Sequence, residues 1–282
     1  MDTMLDRLIT VLTLQPDGKD RFVGQNMHPE GFRVYGGQAL GQAVSAAAAT
    51  VDENRTFHSQ HAYFLRQGDV KEPITYEVER ARDGASFSSR RVVASQRGKP
   101  ILVSSMSFQA ASQGDDYQPD MPSVPLPESL PNERQLSLEA GNLDESFMIT
   151  TGEDLDIRVV EPLDYENPVP REPRLQVWMK TSGPLPDDPG LHQAVLAYLS
   201  DAYLIDACLM PHGRRYDEPG LQVASLDHAL WIHGPFRADE WLLHTLEAEQ
   251  VGGGRGLSRG SFYTREGRLV GTAMQQGLMR FR

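Results

Sequence analysis

The chain repeats itself, and that repeat restricts it to architectures that can be built twice and joined. Five prolines between Pro119 and Pro131 divide it nearly in half, a composition that reads as an extended, poorly helical connector. Before the connector, Gly36-Gly-Gln-Ala-Leu-Gly-Gln-Ala-Val44 leads into Ala46-Ala-Ala-Ala49; after it, Gly190-Leu-His-Gln-Ala-Val195 leads into a second helix-like run. Downstream, His61-Ala-Tyr-Phe-Leu65 is echoed by His228-Ala-Leu-Trp-Ile232, and Ser89-Arg90 with Arg97-Gly98 by Ser258-Arg259 with Glu266-Gly267. The last two matches share one offset, since 258 − 89 and 267 − 98 are both 169. The unit is a helix followed by several antiparallel strands.

Local physics fills in that unit. Alanine-rich residues 39–49 favour helix, and a helix apolar on most faces belongs at the centre of a fold. In the second half, Asp188-Pro189 supplies an N-cap and a proline at the first helical position. Alternation predicts strands over Arg174–Lys180 and Arg91–Ala94, and a hairpin over Phe262–Val270 that turns at Glu266-Gly267. The expected fold class is α+β: two tandem units, each a long central helix wrapped by a curved antiparallel sheet, with the sheets joined. Residues 1–115 form the first unit, 116–148 the connector and 149–282 the second. Leu5, Leu8, Ile9 and Leu12, at helical spacing, pack the N-terminus onto this body.

Composition excludes several classes of function. A formal charge of −12 argues against a broad phosphate-backbone footprint, so no nucleic-acid partner is expected. The one cysteine, Cys208, rules out an intrachain disulfide and suits a reducing compartment, which points to the cytoplasm. Met1–Asp6 lacks the basic start of a signal peptide, and no run approaches the length of about eighteen apolar residues expected of a membrane span. No membrane partner is expected.

Among the candidates for chemistry, Asp201 stands out. It lies within an apolar run beside Leu196, Leu199, Tyr203 and Leu204, and a buried carboxylate costs several kcal/mol unless it is paired or hydrogen-bonded. Gly256-Leu-Ser258-Arg-Gly260 has the letters of a nucleophile elbow, but a strand rather than a helix follows it and no histidine lies beyond it; Ser258 reads as part of a loop entering a strand. Cys208, beside Leu209 and Met210, reads as a packed thiol. His58 and His61 read as satisfied core or interface histidines. His228 and His233 are five apart, without metal-ligand spacing, so no metal site is expected. Gly252-Gly-Gly254 lacks the lysine of a P-loop. Arg80, Arg82, Arg90, Arg91, Arg97 and Lys99, with Arg255, Arg259, Arg265 and Arg268 in the second half, read mostly as solvated strand faces that could bind phosphates.

The motifs together resemble the acyl-CoA thioesterase II family, bacterial-type thioesterases with two hotdog domains in one chain. The resemblance covers almost the whole sequence. It rests on Tyr35-Gly-Gly-Gln-Ala-Leu-Gly-Gln42, His61-Ala-Tyr-Phe-Leu-Arg66, Arg82-Asp-Gly-Ala-Ser-Phe-Ser-Ser-Arg-Arg91, Leu196-Ala-Tyr-Leu-Ser-Asp201, Leu226-Asp-His228 and Gln275-Gln-Gly-Leu-Met-Arg280. It implies a double hotdog that hydrolyses a fatty or other acyl-CoA to the free acid and CoA, with no cofactor and with acyl-CoA as its partner molecule. The family's catalytic set is an Asp on the second hotdog helix, a Thr on the next strand and a Gln on a late strand, all holding one water. Here the Asp matches Asp201, the Gln matches Gln275, and the Thr position holds Ser225, which keeps the hydroxyl but loses the methyl that stiffens threonine.

The repeat supplies an internal comparison. The offset of 169 carries Gln275 onto Met106, and aligning the two Gln-Ala-Val segments sets Asp201 opposite Thr50. One site per chain is therefore expected, with the first unit lending binding surface and the backbone N–H groups near Gly36-Gly37 polarising the thioester carbonyl. Because sheet edges are an association liability, a homodimer or homotetramer is expected. Two other readings stand beside the hydrolase: a hotdog enoyl-CoA hydratase, and a non-catalytic acyl-CoA-binding module.

Overall fold

The computed structural model describes residues 3–139, 152–164 and 167–281; residues 140–148 of the expected connector and its boundary at 149 lie outside the described residues. The first half runs α1 (Met4–Leu12), β1 (Gln15–Pro16), β2 (Arg21–Gly24), α2 (Gly36–Ala48), β3 (Arg55–Phe64), β4 (Ile74–Asp83), β5 (Phe87–Gln96) and β6 (Lys99–Ala110). After the connector come α3 (Glu133–Glu139), β7 (Leu155–Val159), β8 (Arg174–Thr181), α4 (Pro189–Leu199), α5 (Leu204–Leu209), β9 (Leu221–Ser225), β10 (Asp227–Ile232), β11 (Leu242–Gly252), β12 (Arg255–Thr264) and β13 (Leu269–Phe281).

These strands form one sheet in the order β1-β2-β4-β5-β6-β3-β10-β13-β12-β11-β8-β7, with β9 pairing β13 off the main path. The joint is β3 against β10, antiparallel, with Gln60 opposite Leu230 and Ala62 opposite His228. This is the joined double hotdog that the repeat implies. Burial alternates along the strands as a one-faced sheet requires: on β5, Ser88, Arg90, Val92, Ala94 and Gln96 are buried while Phe87 and Arg91 are exposed. On β3 the alternation is interrupted by a bulge between Phe57 and Ser59. His58 sits in it half-buried and His61 is exposed, edge-on to Trp231 across the joint, so neither is a core histidine.

Two helices fill the middle, side by side and antiparallel. A side-chain atom on Gly41 would lie 2.7 Å from the Ala194 carbonyl oxygen, and one on Gly37 would overlap the Tyr198 carbonyl; the bare glycines are what let α2 and α4 approach so closely. Asp188 caps α4 through Gly190 N–H at 2.9 Å, with Pro189 in its first turn, as the sequence predicts. Helix α1 begins with a Thr3–Asp6 capping box and buries Leu8, Val11 and Leu12 against α2 and α4.

Three expectations change. The second central helix is not continuous: α4 stops at Leu199, and α5 begins at Leu204 after Tyr203, whose φ of +64° is left-handed. Taken through that break, the helical stretch Pro189–His212 is long and apolar enough for a membrane span, but 83% of its most apolar window is buried in the fold, so it is core. The connector, expected to be extended and poorly helical, is strapped onto the second repeat. Met121, Val124 and Leu130 pack on Trp178 and its neighbours, and the Trp178 indole donates to Pro125 O at 2.9 Å. It also turns helical, over Pro127–Ser129 and again in α3.

Candidate active site

Asp201 lies in the break between α4 and α5, one residue beyond the Ser200 C-cap, rather than on the helix itself. The C-terminal end of a helix is an unfavourable place for a carboxylate. Here it is offset by the N-terminus of α2, which meets the break: Gly37 N–H donates to Asp201 Oδ2 at 2.9 Å. An atom added to Gly36 would lie 2.7 Å from that same oxygen and 3.0 Å from the Phe64 ring. The Gly37 amide is thus committed to Asp201, and the expectation that it polarises a thioester carbonyl gives way to a role in holding the acid. A valine at Gly37 would act chiefly by forcing the two helices apart.

Ser225 ends β9 and Gln275 lies on β13, two residues from the Gly277 that pairs with Ser225. Ser225 Oγ donates to Asp201 Oδ1 at 3.4 Å, and Gln275 Nε2 donates to Ser225 Oγ at 3.1 Å. The structure thus brings together three residues spread over 75 positions of sequence (275 − 201 = 74, counted inclusively). Behind them stand two residues that sequence reasoning did not place at the site. His228 Nδ1 is 2.7 Å from Gln275 Oε1, and His228 Nε2 is 2.9 Å from Ser200 Oγ. Ser200 and Asp201 are chain neighbours, so the contacts close into a ring. The only sequence signal for His228 was its place in the Leu226-Asp-His228 motif.

Asp201 and Ser225 are half-buried, while Ser200, His228 and Gln275 behind them are buried. Burial lowers the proton affinity of the His228 ring below its usual range, against the opposing pull of the Asp201 charge, so the ring is neutral. Burial, reinforced by Asp201, lifts the Tyr35 phenol well above its usual range; its hydroxyl donates to Tyr198 O at 3.0 Å. Burial likewise pushes Tyr216 up to about 12, against the nearby Arg33, whose guanidinium donates to the Tyr216 hydroxyl at 2.6 Å.

The other candidates fall elsewhere. Ser258 is in the body of β12, buried, rather than in a loop. Cys208 is buried on α5, and burial pushes its thiol up to about 11, so it is not a thiolate nucleophile. Among the described residues no three His, Cys, Asp or Glu gather as metal ligands. The arginines are largely paired: Arg80 with Asp20, Arg91 with Glu79, Arg97 with Asp69 and Glu72, Arg265 with Glu128. Arg90 departs from the expected solvated face. It is 2% exposed and donates to Thr50 Oγ1, Thr50 O, Asp83 Oδ1, Arg82 O and Ser89 O. Thr50 follows α2 by two residues as Asp201 follows α4, so in the first repeat an arginine fills the place where the second holds its acid cluster.

A family model described as acyl-CoA thioesterase matches residues 170–278, and one described as acyl-CoA thioesterase N-terminal domain matches residues 24–109. Acyl-coenzyme A thioesterase 8 of Mus musculus is 38% identical, over 97% of this chain and 88% of that one. Acyl-CoA thioesterase 2 of Haemophilus influenzae is 36% identical over 100% and 99%. Among solved structures, acyl-CoA thioesterase II TesB2 from Mycobacterium marinum superposes with a TM-score of 0.81 at 40% identity, covering 98% of each chain.

Proposed function

The chain belongs to the acyl-CoA thioesterase II family, and from that premise we propose that Asp201, Ser225 and Gln275 are the residues that hydrolyse the thioester. The reaction itself is the family's: acyl-CoA and water give a carboxylic acid and CoA. Asp201 takes a proton from a water as its oxygen attacks the acyl carbon. Ser225 and Gln275 orient that water. When the tetrahedral intermediate collapses, the carbon–sulfur bond breaks and the departing thiolate recovers the proton from Asp201, so atoms and charge balance. No covalent nucleophile is required, because a thioester is already an activated acyl group.

One observation carries this reading: a helix end, β9 and β13 deliver an acid, a hydroxyl and an amide into one continuous hydrogen-bonded cluster, with the acid's second oxygen fixed by Gly37 N–H. Thiol release should be followed over a panel of acyl-CoA chain lengths for the parent and Asp201→Asn. Loss of a general base lowers kcat by about 10²–10⁴; full activity in the variant overturns the assignment.

The division into a first repeat (1–115), a connector (116–148) and a second repeat bearing the site (149–282) belongs to the same proposal, and the separate matches at 24–109 and 170–278 support it. So does one site per chain, supported by Arg90 and Met106 in the first repeat. We also infer association into a homodimer or homotetramer. The intrachain β3–β10 joint already covers the two longest candidate edges, so support comes instead from the outer face of that joint, where Tyr63 is 61% exposed beside the His61–Trp231 pair. Light scattering on the purified protein tests this, and a monomer refutes it. A cytoplasmic location rests on the lone reduced Cys208.

A further inference from the structure

The hydrogen bonds behind Asp201 run in one direction, and simple donor–acceptor rules fix it. An ionised carboxylate only accepts, so the single Ser225 proton turns toward Asp201 Oδ1. The Ser225 oxygen must then accept from Gln275, which sets the amide nitrogen toward Ser225 and leaves Oε1 facing His228 Nδ1 at 2.7 Å. An amide oxygen cannot donate, so Nδ1 carries the hydrogen. In a neutral ring Nε2 is then an acceptor, and its partner at 2.9 Å is the Ser200 hydroxyl. That hydroxyl has Ala197 O as its alternative acceptor, also at 2.9 Å.

We propose that His228 is a positioning residue for thioester hydrolysis: as its Nδ1–H tautomer, with the Ser200 hydroxyl free to donate to Nε2, it locks the Gln275 amide with nitrogen toward Ser225 and the reacting water and oxygen turned away. This deepens, and rests on, the reading of Asp201, Ser225 and Gln275 given above.

Two further observations support it. His228 and Gln275 are each 1% exposed, so no bulk water replaces a lost partner, and a flipped amide would set two N–H donors against each other at hydrogen-bond distance, which is expensive in a buried site. The first repeat supplies the second observation. There Met106 pairs across the ladder with Gln60. In the second repeat the ladder that sets Ala229 opposite Met274 brings His228 opposite Gln275 one step further on. The repeat that lacks the amide also lacks the histidine, and Gln60 instead donates to Leu40 O at 3.3 Å.

The test sets donor placement against volume. In His228→Asn the amide nitrogen takes the place of Nδ1, although the side chain is too small; in His228→Gln the volume is closer, but the nitrogen reaches the place of Nε2. Steady-state kinetics at equal folded fraction should show kcat within about threefold of the parent for His228→Asn and a fall of about ten- to a hundredfold for His228→Gln and His228→Leu, with KM within about twofold throughout. If His228→Gln equals or exceeds His228→Asn, the side chain only fills space and the proposal fails. An activity-independent measurement is ¹⁵N NMR of the full-length enzyme labelled at imidazole nitrogen. The resonance pair missing from His228→Asn should report a protonated Nδ1 and a bare Nε2. An Nε2–H tautomer overturns the proposal. Should Asp201→Asn keep full activity while that tautomer is found, the catalytic assignment fails and the amide lock stands as a structural fact alone.

Discussion

Replacing Gly37 with alanine adds one methyl where the start of α2 meets the end of α4. That carbon would lie closer than 3.0 Å to both the Tyr198 carbonyl oxygen and the Tyr35 ring. Ordinary carbon–oxygen contacts need well over 3 Å, so the end of α4 must move by on the order of 1 Å. Overpacking of this kind costs about 1–3 kcal/mol, and the upper half of that range applies because the obstacle is backbone. Better helix propensity returns at most about 1 kcal/mol. The net loss of about 2 kcal/mol corresponds to a Tm drop of roughly 4–8 °C, readable by calorimetry. The same shift carries Asp201 away from Gly37 N–H and from Ser225, so kcat at a temperature where the variant is folded should fall at least about tenfold. Gly41→Ala is the control. Its methyl meets Ala194 O at 2.7 Å and Leu12 at 2.9 Å, so it should lower Tm while sparing kcat. An unchanged Tm for Gly37→Ala refutes the close approach, and a lowered Tm with normal kcat refutes the idea that the helix junction places the acid.

Three other outcomes follow from groups outside the hydrogen-bonded cluster. Burial pushes Glu133 up to about 7, and Asp154 and Asp206 up to about 6; in that window the folded state holds protons that the unfolded chain releases, so stability declines as pH rises from about 4 toward 7. Glu133→Gln should remove on the order of 3 kcal/mol of that decline, measured as a flatter dependence of the urea midpoint on pH, and an unchanged slope refutes it. His244, stacked on Phe262, behaves oppositely: burial holds it down to about 3, so below about 6.5 the unfolded chain binds a proton that the folded state refuses, and stability is lost on acidification. His244→Leu should lower the midpoint of acid unfolding; an unmoved midpoint counts against it. Arg90→Met leaves the buried oxygens of Thr50 without the guanidinium, while the half-exposed Asp83 turns to water, and should cost roughly 1–3 kcal/mol while leaving kcat/KM per folded molecule intact, and a loss of activity at equal folded fraction would place the first repeat's end inside the working site.

The elements that the chain announces locally are the ones readable in advance. Asp188-Pro189 starts α4 and Glu266-Gly267 turns the last hairpin because their chemistry acts over a few residues. The grouping of Asp201, Ser225 and Gln275 came from resemblance, since nothing in spacing alone joins a helix end to two strands. What escaped the linear pattern was decided by tertiary contact. The run through Leu199, Ala202 and Leu204 favours continuous helix, yet Tyr203 turns left-handed where α4 meets the N-terminus of α2. Arg90 looks like any strand-face arginine until Thr50 and Asp83 surround it. The sequence matches His228 to His61, but the strand ladders set His228 in the place of Gln60, one residue away, so the fold exposes His61 and buries His228 behind Gln275.

The seam between β3 and β10 has an architectural corollary. Cutting the polypeptide within the connector would free two fragments, each ending its sheet in an unsatisfied strand whose natural complement is on the other piece. Expressed apart, such fragments would be prone to self-association; expressed together, they should reassemble into an active heterodimer, making the connector a tether whose chief service is to keep the two partners at high local concentration.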